Sequence, residues 1–309
     1  MDVCVCDSVL QTIGNTPVLP LMRVAEPGMA TIFGKYEASN PSFSLKDRIA
    51  MALIEELEKS GRLTRDSIIV CATSGNTGVS LALVCAVKHY ALHLFMPSDA
   101  SLEKRRMFDG FGATLHLTPA DESVKGAQAA AKTYIKSQPK AVLIDQFADP
   151  AVPRVHAQTT AQEILADFPN GVDAFVMGVG TAGTIMGVAS VLKKVFPKTL
   201  IIAVEPSVSA VLSGGQPGIS KIQQLGLGFV PGNYQSELVD RVVKVTDAEA
   251  YLATRRLARR EGLLLGISSG ANVAAALTIA SELGEGKTVL TVLCDAGQRY
   301  FSLKNFFEY

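Results

Sequence analysis

Three times in this chain a short apolar run breaks off into a turn of glycines and small polar residues. Ser67-Ile68-Ile69-Val70-Cys71-Ala72 runs into Thr73-Ser74-Gly75-Asn76-Thr77-Gly78, and a helical pattern, Val79 to Val87, follows directly. Ala174-Phe175-Val176-Met177 runs into Gly178-Val179-Gly180-Thr181-Ala182-Gly183-Thr184. Gly262-Leu263-Leu264-Leu265 runs into Gly266-Ile267-Ser268-Ser269-Gly270-Ala271 and a helix of small apolar residues. Continuous apolar runs with β-branched residues predict parallel strands buried on both faces, and strands alternating with helices predict an α/β fold. Leu92 to Pro97, a helix from Ser101 through Lys104-Arg105-Arg106, Ala113 to Leu117 and Thr288 to Leu293 continue the alternation. Each strand–turn–helix aims backbone N–H groups and a positive helix end at one point, which is an anion site.

What the anions are is open at this level. The Thr73–Gly78 turn lacks the Gly-Lys-Ser/Thr of a nucleotide phosphate loop. Gly178–Gly183 reads as G-x-G-x-x-G, and the strand Leu200 to Val204 ends in Glu205, close to the ~20-residue spacing at which a dinucleotide fold places its ribose-binding acid. An oxidoreductase is therefore a competing reading. Against it, Thr181 and Thr184 offer hydroxyls suited to a terminal phosphate monoester, and the motif lies in the second half of the chain.

Lys46 is the other residue to explain. Asn40-Pro41-Ser42-Phe43-Ser44-Leu45-Lys46-Asp47-Arg48 is a polar entry into an apolar-periodic helix, Ile49 to Leu57, which Gly61 ends. Ser44 and Asp47 have capping-box spacing, which predicts Ser44 as N-cap and Lys46 in the first turn. The positive end of the helix dipole there lowers a lysine pKa and leaves more of the neutral amine that attacks carbonyls. By position alone, a solvated lysine beside Asp47 and Arg48 is the better explanation of the residue.

The chain has 309 residues, 48% of them hydrophobic, enough for two domains or one large α/β unit. Its 29 basic and 29 acidic residues cancel, which points to small-molecule partners rather than nucleic acid. The five cysteines, Cys4, Cys6, Cys71, Cys85 and Cys294, form no Cys-x-x-Cys pair, so neither a disulfide scaffold nor a metal site is expected, and a reducing cytoplasm suits them. Neither an export signal nor a run of ~18 uninterrupted apolar residues is present, so no membrane span is expected. His89, His93, His116 and His156 read as ordinary surface or core residues. Glu205 to Tyr234 is rich in Gly, Pro and Ser but too apolar for a linker, and long ordered loops are commonly functional.

Asn-Pro-Ser-x-Ser-x-Lys-x-Arg at 40–48 resembles the lysine segment of the pyridoxal-phosphate (PLP) β-family, in particular its cysteine synthase/cystathionine β-synthase members. The likeness runs from Thr12-Ile13-Gly14-Asn15-Thr16-Pro17 to Arg299-Tyr300, with the motifs in family order. It implies an α/β protein of PLP fold type II, tryptophan synthase β-like, with two domains of mostly parallel twisted sheets and the cofactor between them. Residues 1–15 and 38–150 would form the N-terminal domain, with the lysine and substrate loop; residues 16–37 and 151–309 would form the C-terminal domain. By residue matching, Lys46 carries the cofactor and shuttles the proton, and Asn76 contacts its 3′-oxygen. Gly180, Thr181, Ala182, Gly183 and Thr184 cup its phosphate, and Ser268 bonds its pyridine nitrogen. Thr73, Ser74, Gly75, Thr77 and Gln146 hold the substrate carboxylate. A serine hydroxyl does not keep the pyridine nitrogen protonated as a carboxylate would, which favours expulsion of a good β-leaving group over transamination.

The activity implied is formation of L-cysteine from O-acetyl-L-serine and sulfide. Cystathionine β-synthase, cysteine desulfhydrase or lanthionine-type chemistry are the alternatives on the same fold. The resemblance also implies a cytoplasmic homodimer and a possible partner, the C-terminal peptide of a serine acetyltransferase. Three positions depart from the family pattern: Ala182 replaces a usual glycine, Ser220 a usual histidine and Gln224 a usual glycine at the active-site entrance.

Overall fold

The structure, a computed structural model, describes residues 5–73, 75–98 and 100–303. In chain order its first elements are β1 (Val18–Pro20), β2 (Thr31–Tyr36), α1 (Lys46–Lys59), β3 (Ile68–Ala72), α2 (Asn76–Lys88), β4 (Ala91–Pro97), α3 (Leu102–Gly110), β5 (Thr114–Thr118), α4 (Ser123–Ser137) and β6 (Ala141–Ile144). There follow α5 (Ala151–Gln158), α6 (Thr160–Asp167), β7 (Ala174–Gly178), α7 (Gly183–Val195), β8 (Leu200–Pro206), β9 (Arg241–Val245), α8 (Asp247–Arg256), α9 (Ile267–Leu283) and β10 (Thr288–Leu293). Backbone contacts divide the chain into two compact units. One is built on Asn40–Gln146, with the chain ahead of Gly14 and the segment that begins at Arg299; the other is Gly14–Ser39 with Phe147–Gln298.

The first unit holds a four-stranded parallel sheet in the order β5-β4-β3-β6. Ile69, Val70 and Cys71 of β3 are fully buried, as a central parallel strand covered on both faces requires. α4 supplies part of one cover: Ala127 and Ala131, one turn apart, pack with Val70, Ala72 and Phe95. The sequence reading does not place α4, whose packed stripe is built of alanines, side chains too small to mark a core face by themselves. β6 stops at Ile144, so Gln146 lies just past the strand end.

The second unit holds a six-stranded sheet in the order β1-β2-β10-β7-β8-β9, parallel except for β1 against β2. β7 is buried along its whole length. Its helices pack closely through glycines. A Cβ at Gly187 of α7 would lie 2.6 Å from His156 Cβ on α5, and one at Gly270 of α9 would collide with Thr254 and Ala250 of α8. Lys35 on β2 is fully buried and survives there because Nζ donates to Thr16 O at 2.7 Å and pairs with Glu163 at 3.0 Å.

Candidate active site

In the first unit Lys46 is the opening residue of α1 and is half-buried. The capping box expected at Ser44 does not form. Leu45 is the N-cap and makes no side-chain cap bond, and Ser44 Oγ accepts from the Lys46 amide at 3.2 Å. Asp47 turns back instead to Ser42, accepting from its N–H at 2.7 Å and from its hydroxyl. The reason is the loop ahead: a turn closed by Phe43 N–H to Asn40 O at 2.7 Å puts Phe43 at φ 62°, in the left-handed region, and folds Ser42 back over the helix start. Burial pushes the Asp47 carboxyl above its ordinary value, while bonds from Ser42 and Ser80 and the charge of Arg299 pull the other way.

Asn76 opens α2 after Gly75, whose extended backbone makes the turn from β3. Thr73 Oγ1 accepts from Gly75 N–H at 3.1 Å, and Thr77 Oγ1 donates to Gln146 Oε1 at 2.5 Å. With its oxygen taken by Thr77, Gln146 presents its amide nitrogen as the end that donates, as a carboxylate ligand requires. Thr73, Asn76, Thr77 and Gln146 are all buried at this helix start. Ser74 lies outside the described residues. Arg299 is buried beside them, with its guanidinium donating to Asn76 Oδ1 and to Ser42 O.

In the second unit β7 ends at Gly178 and α7 begins at Gly183. Asn272 of α9 stitches this end down, accepting from Gly178 N–H at 2.8 Å and donating to Val292 O of β10 at 2.8 Å. Gly180 has to be glycine, since a Cβ there would lie 2.6 Å from Gln224 O. Ala182, the N-cap of α7, sits at φ 65°, ψ −7°, so its departure from glycine costs backbone strain of about 1–2 kcal/mol rather than only added bulk. Thr184 is tied to His156, whose Nε2 is 3.2 Å from its hydroxyl and whose Nδ1 is 2.9 Å from Thr160 Oγ1. Hydroxyls and backbone amides at a helix N-terminus, with no acidic side chain in Gly180–Thr184, form a donor set that fits a phosphate dianion.

Ser268 is the second residue of α9, whose N-cap is Gly266. Ser269 Oγ accepts from Cys294 N–H at 2.9 Å, and Gly266 N–H donates to Asp295 O at 3.0 Å. Gln224, at φ 72°, donates to Asp295 Oδ2 at 3.3 Å. Ser220 donates to Asp247 Oδ1 at 2.8 Å, so its hydroxyl anchors the long loop to the start of α8. Glu205, the acid of the dinucleotide reading, accepts from Leu212 N–H at 2.8 Å and from Ser213 Oγ at 2.5 Å. Its carboxylate closes a loop and does not face outward as a ribose ligand must.

The sequence assigns no role to Arg299, which holds Asn76 in the first unit, or to Asn272 and His156, which hold Gly178 and Thr184 in the second; none carries a local pattern that reveals its partner. His93 and His116, by contrast, pair with each other, Nδ1 to Nε2 at 3.0 Å, beside Phe95 and Tyr134. Among the described residues no group of His, Cys, Asp and Glu is arranged to hold a metal, and no helix is long and apolar enough to cross a membrane.

Among known proteins, the family model for "Pyridoxal-phosphate dependent enzyme" matches residues 9–295. Cysteine synthase of Staphylococcus aureus (strain N315) is 47% identical over 297 residues, covering 96% of this chain and 96% of that protein. The crystal structure of O-ureido-L-serine synthase superposes with a TM-score of 0.94 at 39% identity, over 97% of this chain and 94% of that one. Cysteine synthase (OASS) from Entamoeba histolytica does so with a TM-score of 0.94 at 37% identity, over 99% and 92%.

Proposed function

This chain belongs to the family of pyridoxal-phosphate dependent enzymes, in its fold type II form, and on that premise we propose that it joins sulfide to O-acetyl-L-serine to make L-cysteine. The observation that carries the proposal is the 47% identity with a cysteine synthase across 96% of both chains. When bound, pyridoxal 5′-phosphate supplies an electrophilic carbon and an electron sink for charge from the amino acid's α-carbon.

In this reading Lys46 holds the cofactor through Nζ, yields to the substrate amine and then takes the α-proton. The acetate leaves from the β-carbon with the C–O bonding pair, sulfide adds there, and Lys46 returns a proton to the α-carbon. Thr73, Gly75, Thr77 and Gln146, with Ser74, orient the substrate carboxylate through the N-terminus of α2. Gly180 to Thr184 grip the phosphate, Asn76 the 3′-oxygen, and Ser268 the pyridine nitrogen without protonating it. The family resemblance supports extending the proposal to a cytoplasmic homodimer that accepts the C-terminal peptide of a serine acetyltransferase; sedimentation and peptide titration test both.

The decisive assay compares O-acetylserine and serine as donors, and sulfide and homocysteine as acceptors, in wild type and Lys46→Ala. Wild type should make cysteine from O-acetylserine and sulfide fastest. Lys46→Ala should lose turnover and the cofactor's visible absorbance while remaining folded. A fully active Lys46→Ala with an unchanged spectrum would sink the lysine assignment. Efficient cystathionine formation from serine and homocysteine, with little sulfide-dependent turnover, would replace the reading with cystathionine β-synthase.

A further inference from the structure

Arg299 reaches the Lys46 loop and α2 from 223 positions away in sequence from Asn76, and only 3% of it is exposed. One arm of its guanidinium donates to Asn76 Oδ1 and the other to Ser42 O, four residues ahead of Lys46. Its charge acts on Asp47, whose carboxylate is itself held by Ser42. A buried arginine needs such a counter-charge.

An arginine has donors and no acceptor, so the atom of Asn76 that faces it has to be the oxygen, whichever way the amide is drawn. The amide nitrogen is thereby turned to the opposite side. We propose that Arg299 is a positioning residue that fixes Asn76 as a hydrogen-bond donor toward the cofactor's ring 3′-oxygen and so favours the ionised form of that oxygen. This rests on the assignment of Asn76 made under the proposed function. A planar fork serves both acceptors at once, where a lysine ammonium is a compact point charge on a flexible stem. The cation also polarises the amide it holds, which strengthens the bond made by the nitrogen.

The test uses holoenzyme of wild type, Arg299→Lys, Asn76→Ala and the double variant. It reads the ratio of near-ultraviolet to visible absorbance of the bound cofactor at neutral pH, with thermal unfolding of the cofactor-free proteins alongside. Arg299→Lys should raise that ratio about tenfold, the effect of one pKa unit on the ring oxygen. In the Asn76→Ala background the same change should add nothing, because the effect passes through Asn76. An unchanged ratio in a folded Arg299→Lys, or an equal rise in both backgrounds, overturns the proposal. If Arg299→Lys does not fold, Asn76→Asp decides: it keeps the contact to Arg299 yet offers only acceptors to the ring, so its ratio should rise, and an unchanged ratio overturns the proposal. Failure of the underlying Asn76 assignment looks different, since Asn76→Ala by itself would then leave the wild-type ratio unchanged, and a wild type with no visible band that Lys46→Ala removes would sink the cofactor reading itself.

Discussion

Replacing Asn272 by alanine tests how the phosphate-binding turn is held in place. Asn272 is fully buried and spends both ends of its amide on the ends of neighbouring strands, Gly178 N–H at 2.8 Å and Val292 O at 2.8 Å. Alanine leaves the Gly178 donor buried without its acceptor, at a cost of about 1–3 kcal/mol, and removes a second bond with a net value of about 1 kcal/mol. The space is closed on one side by Leu225, which a Cβ at Gly178 would meet at 2.7 Å, so little relaxation is available. The sum is a loss of about 2–4 kcal/mol from the second unit, and it falls two residues before Gly180. Urea unfolding gives the stability, and hydrogen–deuterium exchange of a peptide spanning Ala174–Gly178 locates it. Cofactor retention on desalting should fall in parallel. A loss under about 0.5 kcal/mol, with exchange of that peptide unchanged, would refute the reasoning, because surface changes alone reach that size.

Ala182→Gly should relieve a left-handed cost of about 1–2 kcal/mol against about 0.4–1 kcal/mol of added unfolded-chain freedom, a net gain of up to about 1.5 kcal/mol. A lowered unfolding midpoint would show that the backbone at φ 65° is not strained. Asp47 has its pKa raised above 3.8 chiefly by burial, and a group whose pKa rises on folding favours the native state while protonated and loses that benefit as pH climbs through the folded value. The stability of wild type relative to Asp47→Asn, measured by urea unfolding across pH, should therefore fall as pH rises above 3.8; a difference that grows with pH contradicts it. The Cys71 and Cys85 thiols are pushed up to about 12 by burial, so native protein at mildly alkaline pH should be alkylated at exposed Cys6 and spared at both, by peptide mass spectrometry. Prompt alkylation of Cys71 would mean that the β3 core opens readily.

What the sequence by itself determined are the features that a few adjacent residues encode. Parallel strands buried on both faces must be continuous apolar runs, so β10 was legible with its bounds at Thr288–Leu293, and β4, β7 and β8 nearly so. Turn chemistry and helix starts are equally local, which is why Lys46 and Asn76 could be placed at or near helix N-termini from their neighbouring residues. The resemblance then attached roles to these positions, which no periodicity could. Tertiary structure decided the partners. Asn272 meets Gly178 from 94 positions away and Arg299 meets Asn76 from 223, across a strand order that is not the chain order. It also overrode a local signal: Ser44 has the spacing of a cap, yet Asp47 bonds Ser42, because Phe43 in the left-handed region turns the chain back on itself. A hydrogen bond between remote residues depends on where two elements come to rest, and that is set by the burial of whole faces rather than by any pattern near either residue.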